Sequence, residues 1–215
     1  MLRDCTVKEL QVLLSRYPAL EPLGDNLYKS VELITESIAN GGKILVCGNG
    51  GSASDSLHIV GELMKSFVLK RNISDDLRDK IARSYPDEAE YYINNLQGAI
   101  PAISLVNEVA LITAFGNDQS SELAFAQQVL GYGKPGDVLI AISTSGNSAN
   151  VLHAARIARI MGVHIISLTG QGGGKLKDLS DVLLNVPSNI TYQIQEYHLP
   201  VYHALCLALE QEFYG

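Results

Sequence analysis

Short apolar runs rich in β-branched residues recur at 43–47, 100–105, 137–142 and 164–168, each followed by a segment with apolar residues at helical spacing. A fifth run, 181–186, precedes the last helical segment. Nearly continuous hydrophobicity, in place of strict alternation, marks strands covered on both faces, and alternation of strand with helix marks parallel connections. The pattern therefore predicts an α/β fold, a doubly wound, parallel five-stranded sheet flanked by helices. In such sheets ligands bind beyond the carboxyl ends of the strands, so functional residues are expected just after each strand.

Two helices are predicted ahead of the first strand, at about 7–16 and 26–38; the second ends in Asn40-Gly41-Gly42, as a helix C-terminus should. Leu27, Val31, Ile34 and Ile38 give that helix an apolar face. The stretch 71–98 differs. Its first half carries Asp75, Asp76, Arg78, Asp79, Lys80 and Arg83, and its second half, after Pro86, is rich in tyrosine, which reads as an inserted helical hairpin. The last helix, at about 191–212, contains Pro200, which lacks an amide proton and is expected to kink or break it. With no repeat and no low-complexity linker, 1–215 reads as a single domain with N-terminal helices in 1–40 and an insertion at 71–98.

Composition narrows the function classes. Hydrophobic residues make up 47% of the 215 and charged residues 18%, enough apolar surface for a full core, so a disordered chain is excluded. No apolar run reaches the roughly 18 to 20 residues of a membrane span, and the N-terminus lacks a basic region followed by an apolar signal core. A cytoplasmic protein without a membrane partner is expected. The net charge of -7 argues against a nucleic-acid partner, yet helix N-termini bind small anions without net positive charge. Three scattered cysteines, Cys5, Cys47 and Cys206, offer neither a disulfide framework nor a Cys-x-x-Cys metal site.

After the first strand comes Gly48-Asn-Gly-Gly-Ser-Ala-Ser-Asp55, in which Asn49, Gly50, Gly51 and Ser52 lead into a helix. Glycines permit close backbone approach, and free amides with small polar side chains hold a phosphate or sugar hydroxyls. The spacing is neither a dinucleotide fingerprint nor a Walker loop, and taken alone the turn reads equally as a helix start capped by Ser52. After the third strand comes Ser143-Thr-Ser-Gly-Asn-Ser148, again opening a helix. Ser and Asn are ordinary caps, but two such loops in one sheet point to a phosphosugar or a similar anion. His58 and Glu62 share one helical face, within reach of one ion or substrate. Such a pair is also an ordinary surface contact. In the last helix Gln195, Glu196, His198 and His203 interrupt an apolar stretch, where a histidine reads equally as a satisfied core residue. Gln195 and His203 are about 12 Å apart along an unbroken helix, too far for one ion unless the axis bends at Pro200 or Gln195 sits at the helix start.

These loops together, with Leu-His58-x-x-x-Glu62, Gly116-Asn-Asp118, Ser143-Thr-Ser-Gly-Asn-Ser148-Ala-Asn and Ile-Gln195-Glu, resemble the sugar isomerase (SIS) domain family and, within it, the phosphoheptose isomerases. The resemblance runs from about residue 25 to the end and departs at the 71–98 hairpin and at Tyr192-Gln193. It implies an isomerase that interconverts sedoheptulose 7-phosphate and D-glycero-D-manno-heptose 7-phosphate through an enediol, toward lipopolysaccharide or capsule heptose. It implies zinc, one ion per site, on His58, Glu62, Gln195 and His203, and a homotetramer with sites at subunit interfaces. It places substrate on Asn49, Gly50, Gly51, Ser52, Glu62, Asn117, Asp118, Ser143, Thr144, Ser145, Ser148 and Gln195.

The chemistry suits those residue types. Moving a proton between adjacent carbons needs a base at carbon, an acid at oxygen and a stabiliser of the enediolate. Glu62 is the expected base and His203 the expected acid/base partner. A DnaA-associating replication regulator, a phosphosugar-binding module without turnover and related amino-sugar phosphate isomerases share the serine loops; the first typically lacks the carboxylate and late histidine kept here. Lys65, Lys70 and Arg71 are placed to reach toward a phosphosugar, and Tyr91, Tyr92, Ile93 and Leu96 to face a neighbouring subunit, so the hairpin reads as a wall or lid of the site and equally as a solvated helical pair that only packs.

Overall fold

The computed structural model describes residues 2–215, and Met1, at the head of the N-terminal segment, lies outside them. In chain order the elements are α1 (Asp4–Arg16), a 3-10 segment (Pro18–Leu23), α2 (Gly24–Ala39), β1 (Ile44–Cys47), α3 (Gly51–Met64), α4 (Asp75–Ser84), α5 (Ala89–Asn95), β2 (Ala102–Ser104), α6 (Val109–Phe115), α7 (Ala124–Tyr132), β3 (Val138–Ile142), α8 (Ala149–Ile160), β4 (His164–Thr169), β5 (Val182–Asn185) and α9 (Thr191–Tyr214). All five strands pair in parallel, in the order β2-β1-β3-β4-β5.

Alternation along each strand builds two cores. Ile44, Val46, Val138, Ile140 and Ile142 point to one face, where α1, α2, α3 and α9 pack. Leu45, Cys47, Leu139 and Ala141 point to the other, under α7 and α8. Successive strand side chains lie on opposite faces, so a run that is apolar throughout feeds both layers at once. The chain leaves β1 for one face and β3 for the other, which puts the switch point of the sheet between those two strands. There the loops after β1 and β3 flank a crevice.

The expected hairpin is present as α4 and α5. Its roots meet where the Gly98 amide donates to the Arg71 carbonyl at 3.0 Å. These roots lie at the C-terminal end of α3, roughly 20 Å along that helix from the glycine turn. The hairpin of one chain therefore does not stand over its own serine loops. The break expected at Pro200 does not occur: α9 continues through it as one element of 24 residues. Proline costs the helix one hydrogen bond, but Ile194, His198, Val201, Tyr202 and Leu205 are all buried around it, and that packing holds the chain helical.

Candidate active site

Two clusters of polar side chains lie on this frame. The first is at the switch point. Gly50, with φ of 56°, turns the chain into α3, and Ser52 is buried in the first turn. Asn49 and Asn150 exchange amide hydrogen bonds of 2.8 and 2.9 Å, tying the turn after β1 to the start of α8. Ser143 and Ser148 hydroxyls meet at 2.9 Å, and the Asn147 amide donates to Ser145 Oγ at 3.2 Å. Gly146, with φ of 64°, lies so close to the Gly173 carbonyl that a Cβ there would collide with it. Gly173 and Gly174, part of a glycine run visible in the sequence but unused, thus pack against the serine loop at Ser145 and Gly146. A cleft of about 380 Å³ opens here between Asn49, Ser148 and Asn150 on one side and Ser121 and Glu122 on the other. Asn117 and Asp118 are exposed on the segment that leads into Ser121, paired with each other at 2.9 Å. Gln195 belongs to this cluster: a Cβ on Gly51 would strike its amide.

The second cluster lies farther along the same two helices, which run side by side in the same direction. His58 Nε2 is 3.3 Å from Glu62 Oε1, and Lys65 Nζ is 2.8 Å from Glu62 Oε2. The rings of His58 and His203 meet edge to face at 5.0 Å. A Tyr202 hydroxyl lies 3.0 Å from His58 Nδ1; when it donates there, the ring proton stays on Nε2, facing Glu62. Burial holds His203 below its ordinary pKa, the His58 charge adds to this and Glu62 opposes it. Burial likewise raises the Asp55 carboxyl and the Tyr202 hydroxyl, two neighbouring groups that sequence reasoning passed over. Nothing in a lone aspartate or tyrosine signals such a contact across two helices. A groove of about 240 Å³ between α1 and α9, with Glu9, Arg16, Tyr17 and Leu199 on its walls, reaches His203.

The implied zinc set is only partly assembled. His58, Glu62 and His203 gather, and His203 Nε2 is buried without a hydrogen-bond partner, so these three suit a borderline cation in donor type. Gln195 does not join them: it lies beside Gly51, eight residues or about 12 Å before His203 on α9. Among the described residues no group of three His, Cys, Asp or Glu stands in a metal-holding arrangement. The four do not fit one ion within one chain. Of the cations expected to reach the sugar, Arg71 is corrected as well, since it is buried to 1% exposure. His198 is a core histidine satisfied at one nitrogen only: fully buried, its Nε2 is 3.2 Å from the Thr169 carbonyl while Nδ1 has no hydrogen-bond partner, and burial lowers its pKa to about 4.

The SIS domain family is matched over residues 8–79 and 92–170. The unmatched 80–91 falls within the α4–α5 hairpin, where the chain departs from the family pattern. A phosphoheptose isomerase of Helicobacter pylori is 42% identical over 195 residues, 91% of this chain and 88% of that protein. One of Akkermansia muciniphila is 36% identical over 199 residues, 93% and 92% of the two chains. The solved phosphoheptose isomerase of Neisseria gonorrhoeae superposes with a TM-score of 0.73 at 34% identity, covering 94% of each chain.

Proposed function

The chain belongs to the SIS domain family and, within it, to the phosphoheptose isomerases, and from that premise we propose that it interconverts sedoheptulose 7-phosphate and D-glycero-D-manno-heptose 7-phosphate. The observation that carries this reading is the position of Glu62 beside His58, whose ring meets that of His203, on the same helix that begins in the glycine turn. Phosphate would be held by the amides at the start of α3 and by the hydroxyls of Ser52, Ser143, Ser145 and Ser148, with Thr144, Asn49, Gln195, Asn117 and Asp118 around the sugar chain. Binding energy gathered there, far from the reacting carbons, fixes their orientation.

Glu62 takes the proton from C2 of the aldose, and the C1 carbonyl oxygen gains a proton as the enediol forms. Return of a proton to C1 and loss of the one on the C2 hydroxyl gives the ketose. His203, whose pKa burial lowers, serves the oxygens, and His58 holds the Glu62 carboxylate in place. Zinc, one ion per site, rests on family membership and on donor type rather than on a ready-made arrangement: His58, Glu62 and His203 would hold it, and it would supply Lewis acidity at the substrate oxygens. A homotetramer with sites at subunit interfaces is supported by family membership and by apolar residues left exposed on the helices, among them Val109, Leu130 and Ile160. No helix of the described residues is long and apolar enough to cross a membrane, in keeping with cytoplasmic work on heptose for lipopolysaccharide or capsule.

Incubation of the protein with sedoheptulose 7-phosphate, with the aldose followed by chromatography, tests the activity, and absence of product would overturn it. Elemental analysis tests the ion: one zinc per chain is expected in protein purified without chelators, and loss of it in the His58→Ala/His203→Ala double variant. Equal metal in both would remove zinc from the site.

A further inference from the structure

We propose that Arg71 is a positioning residue for the proton transfer, acting through its grip on the last turn of α3 and on Glu210 of α9. The inference rests on the reading of Glu62 as the base. The Arg71 guanidinium is fully buried and every bond it makes is accounted for. Its Nε donates to Glu210 Oε1 at 2.7 Å, Nη1 to the Leu63 carbonyl at 2.6 Å and Nη2 to the carbonyl of Glu62 itself at 2.9 Å. The last four carbonyls of a helix have no partner within it, and α3 ends at Met64. Arg71 therefore closes α3 at the very residue whose side chain is the base.

Glu210 completes the connection. Besides Arg71, its oxygens accept the amides of Phe67, Val68 and Leu69 at 2.8, 2.8 and 3.0 Å, so the turn after α3 is wrapped around it. Burial pushes its carboxyl up, and the three amides with Arg71 outweigh that, leaving it below the usual carboxylate range. On α9 Glu210 stands seven residues, or two turns, beyond His203 and on the same face. One planar fork thus joins the helix that carries Glu62 to the helix that carries His203. Tyr214 covers the guanidinium, its ring centroid 5.3 Å from Cζ.

Stability alone does not account for this device. A buried ion pair loses in desolvation much of what it gains in attraction, and a helix C-terminus is closed more simply by a glycine. What the fork adds is a fixed distance and angle between two helices. Displacing reacting groups by about 1 Å costs on the order of 10² in rate.

The test is Arg71→Lys, which keeps a charge for Glu210 but cannot fork to two carbonyls as well. We expect kcat per folded site to fall about 10- to 100-fold with KM within about twofold. The isotope effect on kcat with C2-deuterated aldose should rise about twofold as proton transfer becomes limiting. A role confined to folding would lower the melting temperature and leave both kcat per folded site and the isotope effect unchanged, which would overturn the proposal. Should Arg71→Lys not fold, Glu210→Gln carries the same test: the same fall in kcat and rise in isotope effect are expected, and their absence overturns the proposal. Activity retained in Glu62→Gln would instead sink the reading of the base. An inactive Glu62→Gln beside an unchanged Arg71→Lys would sink the positioning role only.

Discussion

The two ends of the paired helices α3 and α9 are built by different means. At the switch point the site is made of backbone: glycines at positive φ, free amides at a helix start, and serines and asparagines that hydrogen-bond to one another. Toward the far end it is made of side chains from separate segments, namely His58 and Glu62, Tyr202 and His203, Arg71 and Glu210. The first construction depends on local sequence, the second on how two helices share one face of a sheet. Under the proposed function the first binds the phosphate and the second moves the proton, so variants should divide into those that change binding and those that change chemistry.

The largest effect is expected from Glu62→Gln, which keeps size and hydrogen bonding but removes the proposed base. Turnover should fall by about 10² to 10⁴ while sugar-phosphate affinity, read by calorimetry, stays within a few-fold. A variant keeping more than about a tenth of the rate would show that Glu62 is not the base.

His198, beside the strands, is buried neutral with its pKa lowered to about 4 from 6.5. Its folded pKa lies below its unfolded one, so the unfolded state binds the extra proton. The resulting stability is present above about pH 6.5 and is lost as pH falls toward 4, in all about 3 kcal/mol at 1.36 kcal/mol for each pKa unit. Denaturant titrations from pH 7 to 4 should show this slope, and His198→Asn should flatten it. An unchanged slope would assign acid sensitivity to other groups.

The Ser143→Ala and Ser148→Ala variants probe the switch-point end. Each removes a hydroxyl from the proposed anion cradle, and hydrogen bonds to charged groups are worth about 1.5–3 kcal/mol, so KM should rise roughly 10- to 100-fold with kcat nearly unchanged. A fall in kcat of that size without a change in KM would mean that the two ends are not separable.

How much of this was legible follows from the same contrast. The five strands, the serine and glycine loops and the hairpin could be read because each is written in consecutive residues. The apolar runs at 44–47 and 138–142 announce their own burial on two faces. Partnerships across 139 or 144 positions, as in Arg71 with Glu210 or His58 with Tyr202, leave no local mark. A basic residue ahead of a polar insertion looks like a surface cation, and only the fold reveals that Arg71 points inward. Pro200 misled for a related reason, since a local rule about amide protons was overridden by burial on both sides of the residue.

The smallest effect is expected from the hairpin. Helices of ten and seven residues are marginal by themselves, and α4 buries none of its side chains in this chain. Within α4 the Leu77 amide donates to Ser74 Oγ at 3.3 Å and Lys80 Nζ donates to Asp76 at 2.6 Å, while Tyr91 on α5 is 68% exposed. Its roots, in contrast, are fixed beside the far cluster, where the Ser66 amide donates to Gln97 Oε1 at 2.8 Å and Lys65 reaches Glu62. Replacing 74–96 with a short Gly/Ser linker keeps Ile73 and Gln97, so folding and assembly should survive. If the hairpin walls a site, it does so at the end where the sugar reacts. The replacement should then change KM for the seven-carbon sugar by only about two- to fivefold, or relax discrimination against shorter sugar phosphates, and leave competition by inorganic phosphate where it was. A change in phosphate competition would place the hairpin over the switch-point loops of a neighbouring chain. Unchanged kinetics in a variant that still assembles would leave the insertion a structural addition with no part in substrate choice.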